Sequence, residues 1–307
     1  MTVSFNVSVA GDKTFLSSYN QPMQIMPQQR KTITGSMLSQ YPIIKEKRLA
    51  CVHTSYVTRP FSEKMLTPGF QQMNILNYLA LANRIGFQYI LVHGPESMKE
   101  WSLMDGALTI MHELERKSNG QAKVIIEMPA FKGSFINELK ALMVADESYP
   151  KSDDSNSVAS SGLGRRSPAT EPGKTGDKDI SVQDYIGYYF DRIVGYNYDI
   201  VLDTAHMWAN GCTVEDMIAL YKRFAKNMKI SHLNGNKRGQ FTSDAHCPIF
   251  LDTNRIDHVD RLMEYLATTD LLLITENASD GVEYIQWKRF ADKYKLKIVP
   301  DHPNLNC

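Results

Sequence analysis

Six short apolar segments of this sequence end on or beside a histidine, an aspartate or a glutamate, which are common metal ligands. A buried polar group without a partner costs about 1–3 kcal/mol, so each position needs a physical reason. A hydrogen-bonded core residue explains one such case, whereas a convergent metal site explains all six together. The residues are His53, His93, Glu127, Asp203 with His206 just beyond it, His232 and Glu276.

Two short motifs extend this set of candidate ligands. In Asp203-Thr204-Ala205-His206 a carboxylate and an imidazole stand three residues apart. Asp244-Ala245-His246 follows His232 by about a dozen residues, so its loop can fold back over the same site. The candidates are then five histidines and four carboxylates. Nitrogen and oxygen ligands of this kind suit zinc, or manganese as a substitute.

The segments that carry these residues alternate with amphipathic stretches, which predicts parallel βα units. Eight such units predict an α/β fold, a closed (β/α)₈ TIM barrel, as a single domain over residues 1–307. In barrels of this type the C-terminal strand ends form the active-site face. The predicted strands are Val3–Ala10, Gln24–Met26, Leu49–His53, Tyr89–His93, Lys123–Glu127, Tyr198–Asp203, Met228–Leu233 and Leu271–Glu276.

The segment Ser152–Lys178 differs in composition from the rest of the chain. It is rich in small, polar and charged residues and has almost no large apolar side chains. Such a segment cannot bury enough apolar surface to offset the entropy of ordering its backbone. We therefore predict a disordered insertion between one barrel unit and the next.

Composition narrows the possible partners and compartments. The formal net charge is zero, so DNA binding would need a local positive field of the kind that bound metal ions supply. Four widely spaced cysteines without a C-x-x-C pair indicate neither a disulfide framework nor a cysteine-type zinc finger. No apolar run reaches the roughly 18–20 residues that span a bilayer, and the start does not resemble a secretory signal. We expect an intracellular protein, in the nucleus or the cytoplasm, with no membrane partner.

The chain resembles the endonuclease IV family of apurinic/apyrimidinic endonucleases in the segments CVHTSY, LVHGPES, VIIEMPA, VLDTAHMWANG, SHLNGNK, SDAHCPI and LITENA. These segments follow the order of the family and span the chain outside the insertion. The resemblance implies three zinc ions, with Glu127 bridging the first two and acting as the catalytic residue. The implied ligand sets are His53, His93 and Glu127; Glu127, Asp203, His232 and Glu276; and His206, Asp244 and His246.

The segments that would contact DNA resemble the family less completely. Tyr56 and Val57 resemble an aromatic-aliphatic pair that the family inserts into the duplex, and Arg30 resembles its inserted arginine. Side chains inserted in this way kink DNA and expose a flipped nucleotide. Lys237 matches a lysine that can contact a phosphate. For Tyr56 and Arg30 an ordinary surface loop is the alternative interpretation.

The sequence departs from the family pattern at two positions beside the implied ligands. Ala245 stands where the family usually has arginine, and Met128 stands where it often has asparagine. Neither change removes a ligand. Both leave the lesion preference and the rate open.

The resemblance implies a monomeric enzyme that acts on damaged double-stranded DNA. It would hydrolyse the phosphodiester on the 5′ side of an abasic site, with trimming of blocked 3′ ends as an accompanying activity. A TIM-barrel sugar isomerase or epimerase with one divalent ion is an alternative, and it would use only Glu127, Asp203, His232 and Glu276. A non-catalytic binder of abasic sites is a second alternative, against which the complete ligand set argues.

Overall fold

The computed structural model describes residues 2–8, 16, 21–27, 31–131, 133–149, 180–276, 291–294 and 297–298. Arg30 and the predicted insertion lie outside the described residues. The strands are Thr2–Ser8 (β1), Gln24–Met26 (β2), Arg48–His53 (β3), Phe87–His93 (β4), Lys123–Glu127 (β5), Asp199–Val201 (β6), Ile230–His232 (β7), Gly235–Asn236 (β8), His246–Cys247 (β9), Leu272–Thr275 (β10) and Lys297–Ile298 (β11).

The helices lie between these strands. They are Gly35–Leu38 (α1), Phe70–Arg84 (α2), Met98–Trp101 (α3), Met104–Lys117 (α4), Gly133–Ala145 (α5), Val182–Gly195 (α6), Thr204–Ala209 (α7), Val214–Arg223 (α8) and Val259–Leu266 (α9). Two short 3₁₀ turns occupy Glu63–Met65 and Ala225–Asn227. Among the described residues, no helix combines the length and the apolar character needed to cross a bilayer.

Parallel pairing joins the strands into a ring. β1 pairs with β2 on one side and with β10 on the other, and the ladder continues from β2 through β3, β4 and β5 to β6. β7 pairs with β10, and a parallel bridge between Asp203 and His232 connects the end of β6 to β7. The predicted α/β TIM barrel is therefore confirmed.

Local sequence signals explain where several helices begin and end. A capping box of Thr213 and Asp216 opens α8, and Ser181 with Asp184 opens α6 in the same way. Gly86 follows α2 with φ +72°, and a Cβ there would lie 2.1 Å from the carbonyl oxygen of Glu46, so only glycine fits.

The alternation of side chains along each strand positions the candidate ligands. Odd and even residues of a strand point to opposite faces, here the barrel interior and the surrounding helices. Each of six interior residues precedes a predicted ligand by two positions, so the ligand side chain points into the barrel mouth. These six residues are Cys51, Leu91, Ile125, Val201, Ile230 and Ile274.

Candidate metal centre

The first group of candidate ligands lies at the ends of β3, β4 and β5. The Nε2 atoms of His53 and His93 are 3.6 Å and 3.1 Å from Oε2 of Glu127. Glu127 is completely buried, and its Oε2 has no hydrogen-bond partner. His93 is the most accessible of the three, with 36% of its side chain exposed. The first group is therefore accessible to solvent on the side of His93.

The second group surrounds His232 with three carboxylates. Its Nδ1 lies 2.8 Å from Oε1 of Glu127, 3.3 Å from Oε2 of Glu276 and 3.5 Å from Oδ2 of Asp203. Glu127 therefore presents one carboxylate oxygen to each of the first two groups. Asp203 uses its other oxygen, Oδ1, to cap α7 by accepting hydrogen bonds from the backbone N–H groups of Ala205 and His206.

The third group differs in one respect from the set implied by the resemblance. Nε2 of His206 is 3.4 Å from Oδ2 of Asp244, and Nε2 of His246 is 3.2 Å from that same oxygen, so the three predicted residues do come together. However, the atoms that could share a cation belong to Asp203, His206 and His246. Asp203 thus stands between the second and third groups, as Glu127 stands between the first and second.

Two buried imidazole rings are held by backbone carbonyl groups. Nδ1 of His53 donates a hydrogen bond to the carbonyl oxygen of Thr54 over 2.7 Å, and Nδ1 of His206 donates to that of Met128 over 2.6 Å. A carbonyl oxygen only accepts, so a neutral ring in this position carries its proton on Nδ1. The remaining nitrogen, Nε2, then presents a lone pair to the carboxylates. This arrangement is typical of histidine ligands to metals.

The electrostatics of the centre favour cations. Burial by itself would raise the pKa of Glu127, but the imidazoles of His232 and His93 outweigh it and hold the pKa well below its usual range. Burial by itself would lower the pKa of His206, but Asp203 and Asp244 raise this pKa to about 10. Glu127 therefore stays charged, and a proton bound to His206 offsets part of the negative charge of the centre. Divalent ions fit this donor set, because they would replace such protons and would satisfy Oε2 of Glu127 and Nε2 of His246, which have no hydrogen-bond partner.

Three of the four residues predicted to contact DNA are among the described residues. The Tyr56 ring is exposed, and its centroid is 5.8 Å from that of His93 and 6.4 Å from that of His53. Val57 follows it and is half-buried. Lys237 is exposed on the hairpin formed by β8 and β9, which also carries His246.

The two departures from the family pattern lie close to the centre. Met128 is completely buried, and its backbone carbonyl oxygen is the acceptor that holds His206. Its side chain is therefore part of the core, while its main chain positions a candidate ligand. Ala245 accepts a backbone hydrogen bond from Lys237 across the hairpin, which any residue at position 245 could do.

Two buried amides belong to this centre and were not predicted from the sequence. Nε2 of Gln24 donates to Oε1 of Glu276 over 2.7 Å. Nδ2 of Asn234 donates to Oδ2 of Asp203 over 2.7 Å. The available signal was the position of each: Gln24 is the polar first residue of a predicted strand, and Asn234 follows β7 directly.

The fold and the site together define a TIM barrel that carries three groups of candidate metal-ligating side chains at the C-terminal ends of its strands. No protein-family model and no curated protein matches the sequence. Several solved structures match over nearly the whole chain, at identities that show the fold alone.

Endonuclease IV from Thermus thermophilus is 15% identical, with a TM-score of 0.55, and the match covers 95% of this chain and 98% of that one. A D-tagatose 3-epimerase-like protein is 13% identical, with a TM-score of 0.54 and coverages of 96% and 97%. A xylose isomerase domain protein from Planctomyces limnophilus is 10% identical, with a TM-score of 0.51 and coverage of 96% of each chain. The same barrel therefore occurs in proteins named as a nuclease and in proteins named as sugar enzymes.

Proposed function

We propose that this chain is a zinc-dependent hydrolase that cuts the DNA backbone on the 5′ side of abasic sites and leaves a 3′-hydroxyl end. One observation carries the proposal. Glu127, Asp203, His232 and Glu276 would be enough to hold one cation, yet four further imidazoles lie at the same site. They are His53, His93, His206 and His246. Three cations give each of them a role.

The charge of the centre supports an anionic substrate. Four carboxylates (Glu127, Asp203, Asp244 and Glu276) contribute a charge of −4, and three divalent ions would contribute +6, so the occupied centre would carry +2. The chain as a whole has zero net charge, so this local field is what would attract a phosphodiester. When bound, zinc ions supply an activated water and stabilise the charge that develops on the phosphate and on the leaving oxygen.

The residues of the chain then have distinct roles in this proposal. Glu127 would contribute one ligand atom to each of two cations, because each of its oxygens faces a different group. Its Oε2 lies beside the partly exposed His93, where an attacking water can be oriented. Tyr56, above the first group, would occupy the space left by the missing base, and Lys237 would contact a phosphate.

The partner in this proposal is damaged double-stranded DNA, bound by one copy of the chain. Removal of phosphates and sugar fragments from 3′ ends belongs to the same proposal, since it breaks the same class of phosphorus–oxygen bond. Val57, next to Tyr56, and Arg30, whose position lies outside the described residues, would complete the contact with the duplex.

A sugar isomerase or epimerase is the second candidate. The observation in its favour is that Glu127, Asp203, His232 and Glu276 form a buried group that can hold one divalent ion without help from the others. A D-tagatose 3-epimerase-like protein also shares the fold. This candidate gives no role to His206, Asp244 and His246, although they lie close together.

The deciding experiment combines a cleavage assay with metal analysis. Purified protein is incubated with a duplex that carries a single tetrahydrofuran abasic analogue, and with the intact duplex as the control. Metal content is measured on the same sample, and ketose epimerisation is assayed in parallel with added Mn²⁺.

We expect incision only at the analogue, about three zinc ions per chain, and no requirement for added magnesium. Strong chelators should abolish incision slowly, and zinc should restore it. One divalent ion per chain with epimerase activity would establish the second candidate. Zinc-loaded protein that binds the abasic duplex without cutting it would indicate a binder.

A further inference from the structure

The imidazole of His232 is held by a side chain. Gln24 is completely buried at the start of β2, and its amide oxygen accepts a hydrogen bond from Nε2 of His232 over 2.8 Å. The same oxygen accepts from the thiol of Cys51 over 3.0 Å. The amide nitrogen donates to Oε1 of Glu276 over 2.7 Å. One side chain therefore contacts two candidate ligands of the second group.

Chemistry fixes the orientation of this amide. A carboxylate oxygen can only accept, so the NH₂ end of Gln24 must face Glu276. The carbonyl end then faces His232 and can only accept, so the ring must carry a proton on Nε2. The thiol of Cys51 is a donor and agrees with this orientation.

The opposite nitrogen of His232 follows from this constraint. A neutral ring with its proton on Nε2 has its lone pair on Nδ1. Nδ1 is the atom that lies within 3.5 Å of the carboxylates of Glu127, Asp203 and Glu276. A neutral ring with the other tautomer would donate its Nδ1 proton to these carboxylates, and its lone pair would be on Nε2, which faces the amide oxygen of Gln24 and not the carboxylates.

We propose that Gln24 is a positioning residue that keeps His232 in the Nε2–H tautomer, so that Nδ1 serves as the ligand of the second cation, and that it orients Glu276 at the same time. The proposal rests on the metal centre of the proposed function and not on its substrate. The rings of His53 and His206 are held by backbone carbonyls, which no substitution removes. Gln24 performs the same task with a side chain, so its role can be tested by mutation.

The first test needs no mutation. Zinc-loaded protein labelled with ¹⁵N-histidine is examined by long-range ¹H–¹⁵N correlation, and the His232 ring is assigned by its absence in His232→Asn. We expect a slowly exchanging proton on Nε2 and a metal-shifted Nδ1. A proton on Nδ1, or a zinc ion bound through Nε2, would overturn the proposal.

The second test measures zinc affinity by competition with a chromophoric chelator. Gln24→Met keeps the length of the side chain and removes its hydrogen bonds, and we expect one of the three zinc ions to bind about 10–100-fold more weakly. Gln24→Glu keeps an acceptor for His232, so it should preserve the Nε2–H signal, although its charge beside Glu276 alters the affinity.

The matched control is Gln71→Met. Gln71 is also a buried glutamine, and it hydrogen-bonds to the backbone of Arg59 and Val57, away from the second group. The variant loses these hydrogen bonds, and its zinc affinity should not change. A folded Gln24→Met protein with unchanged affinity for all three ions would refute the proposal. If that variant does not fold, the spectrum of the wild-type protein still decides. If the wild-type protein shows the expected tautomer but does not cleave the abasic duplex, the proposed function is refuted and this inference stands.

Discussion

Replacing Glu127 by glutamine tests the proposed metal centre at the residue that its first two groups share. The substitution keeps the shape of the side chain and removes one negative charge that faces His93 at 3.1 Å and His232 at 2.8 Å. Breaking a buried charge pair by removing one partner costs about 3–5 kcal/mol. If the substitution removes a comparable free energy of transition-state stabilisation, the cleavage rate should fall by roughly two to four orders of magnitude, because about 1.36 kcal/mol corresponds to a factor of ten.

The assay is single-turnover cleavage of the tetrahydrofuran duplex at saturating enzyme. Circular dichroism and bound zinc are measured on the same preparation, so that a loss of fold is distinguished from a loss of chemistry. Glu100→Gln is the control, because Glu100 is a partly buried glutamate on α3 that accepts a hydrogen bond from the backbone of Glu96. A Glu127→Gln rate above about a tenth of wild type, equivalent to less than about 1.4 kcal/mol, would refute the bridging role.

Three further predictions concern the DNA contact, the insertion and pH. Tyr56→Ala and Arg30→Ala should reduce discrimination between abasic and intact duplex without changing zinc content. Phe70 is as exposed as Tyr56, and Phe70→Ala should leave this discrimination unchanged. Equal losses on a single-stranded 3′-phosphate substrate would argue against insertion into the duplex. Replacing 152–178 by a short Gly/Ser bridge should leave cleavage intact, because loop-closure entropy grows only slowly with length, and a zinc-loaded deletion variant without single-turnover activity would disprove this. In metal-free protein the pKa of His206 is raised from 6.5 to about 10, so its contribution to stability is complete below pH 6.5 and is lost as the pH rises towards 10. Urea unfolding across that range should show this loss, and an equal loss in His206→Gln would assign it to another group.

The sequence predicted the barrel and its ligand-bearing strand ends because both depend on local pattern. Strand alternation alone directs His53, Glu127 and His232 into the barrel mouth, whatever the exact ends of the strands. The shared role of Asp203 could not be predicted in this way. It depends on the start of α7, which takes up one oxygen of the carboxylate and turns the other towards His232.

Contacts across the ring were also beyond the sequence pattern. Gln24 and His232 are 208 positions apart, and only the closure of the barrel brings the side chains of β2 and β7 together. The helix packing shows the same limit. Helical spacing places Met73 on the same apolar face of α2 as Leu76 and Leu79, but Met73 is 57% exposed. Gln71 and Asn74 are buried instead, because they hydrogen-bond to the loop at 57–59.

The hairpin of β8 and β9 has a consequence for how such a centre can evolve. The second group stands on or directly beside the strands of the barrel, whereas His246 and Asp244 belong to a segment whose two short strands pair with each other and, among the described residues, with no strand of the barrel. Insertions and deletions are tolerated in such excursions and are excluded from the barrel strands. Under the proposed function, a lineage could therefore gain or lose the third cation through changes within residues 235–247 that leave the barrel strands and the first two groups unchanged.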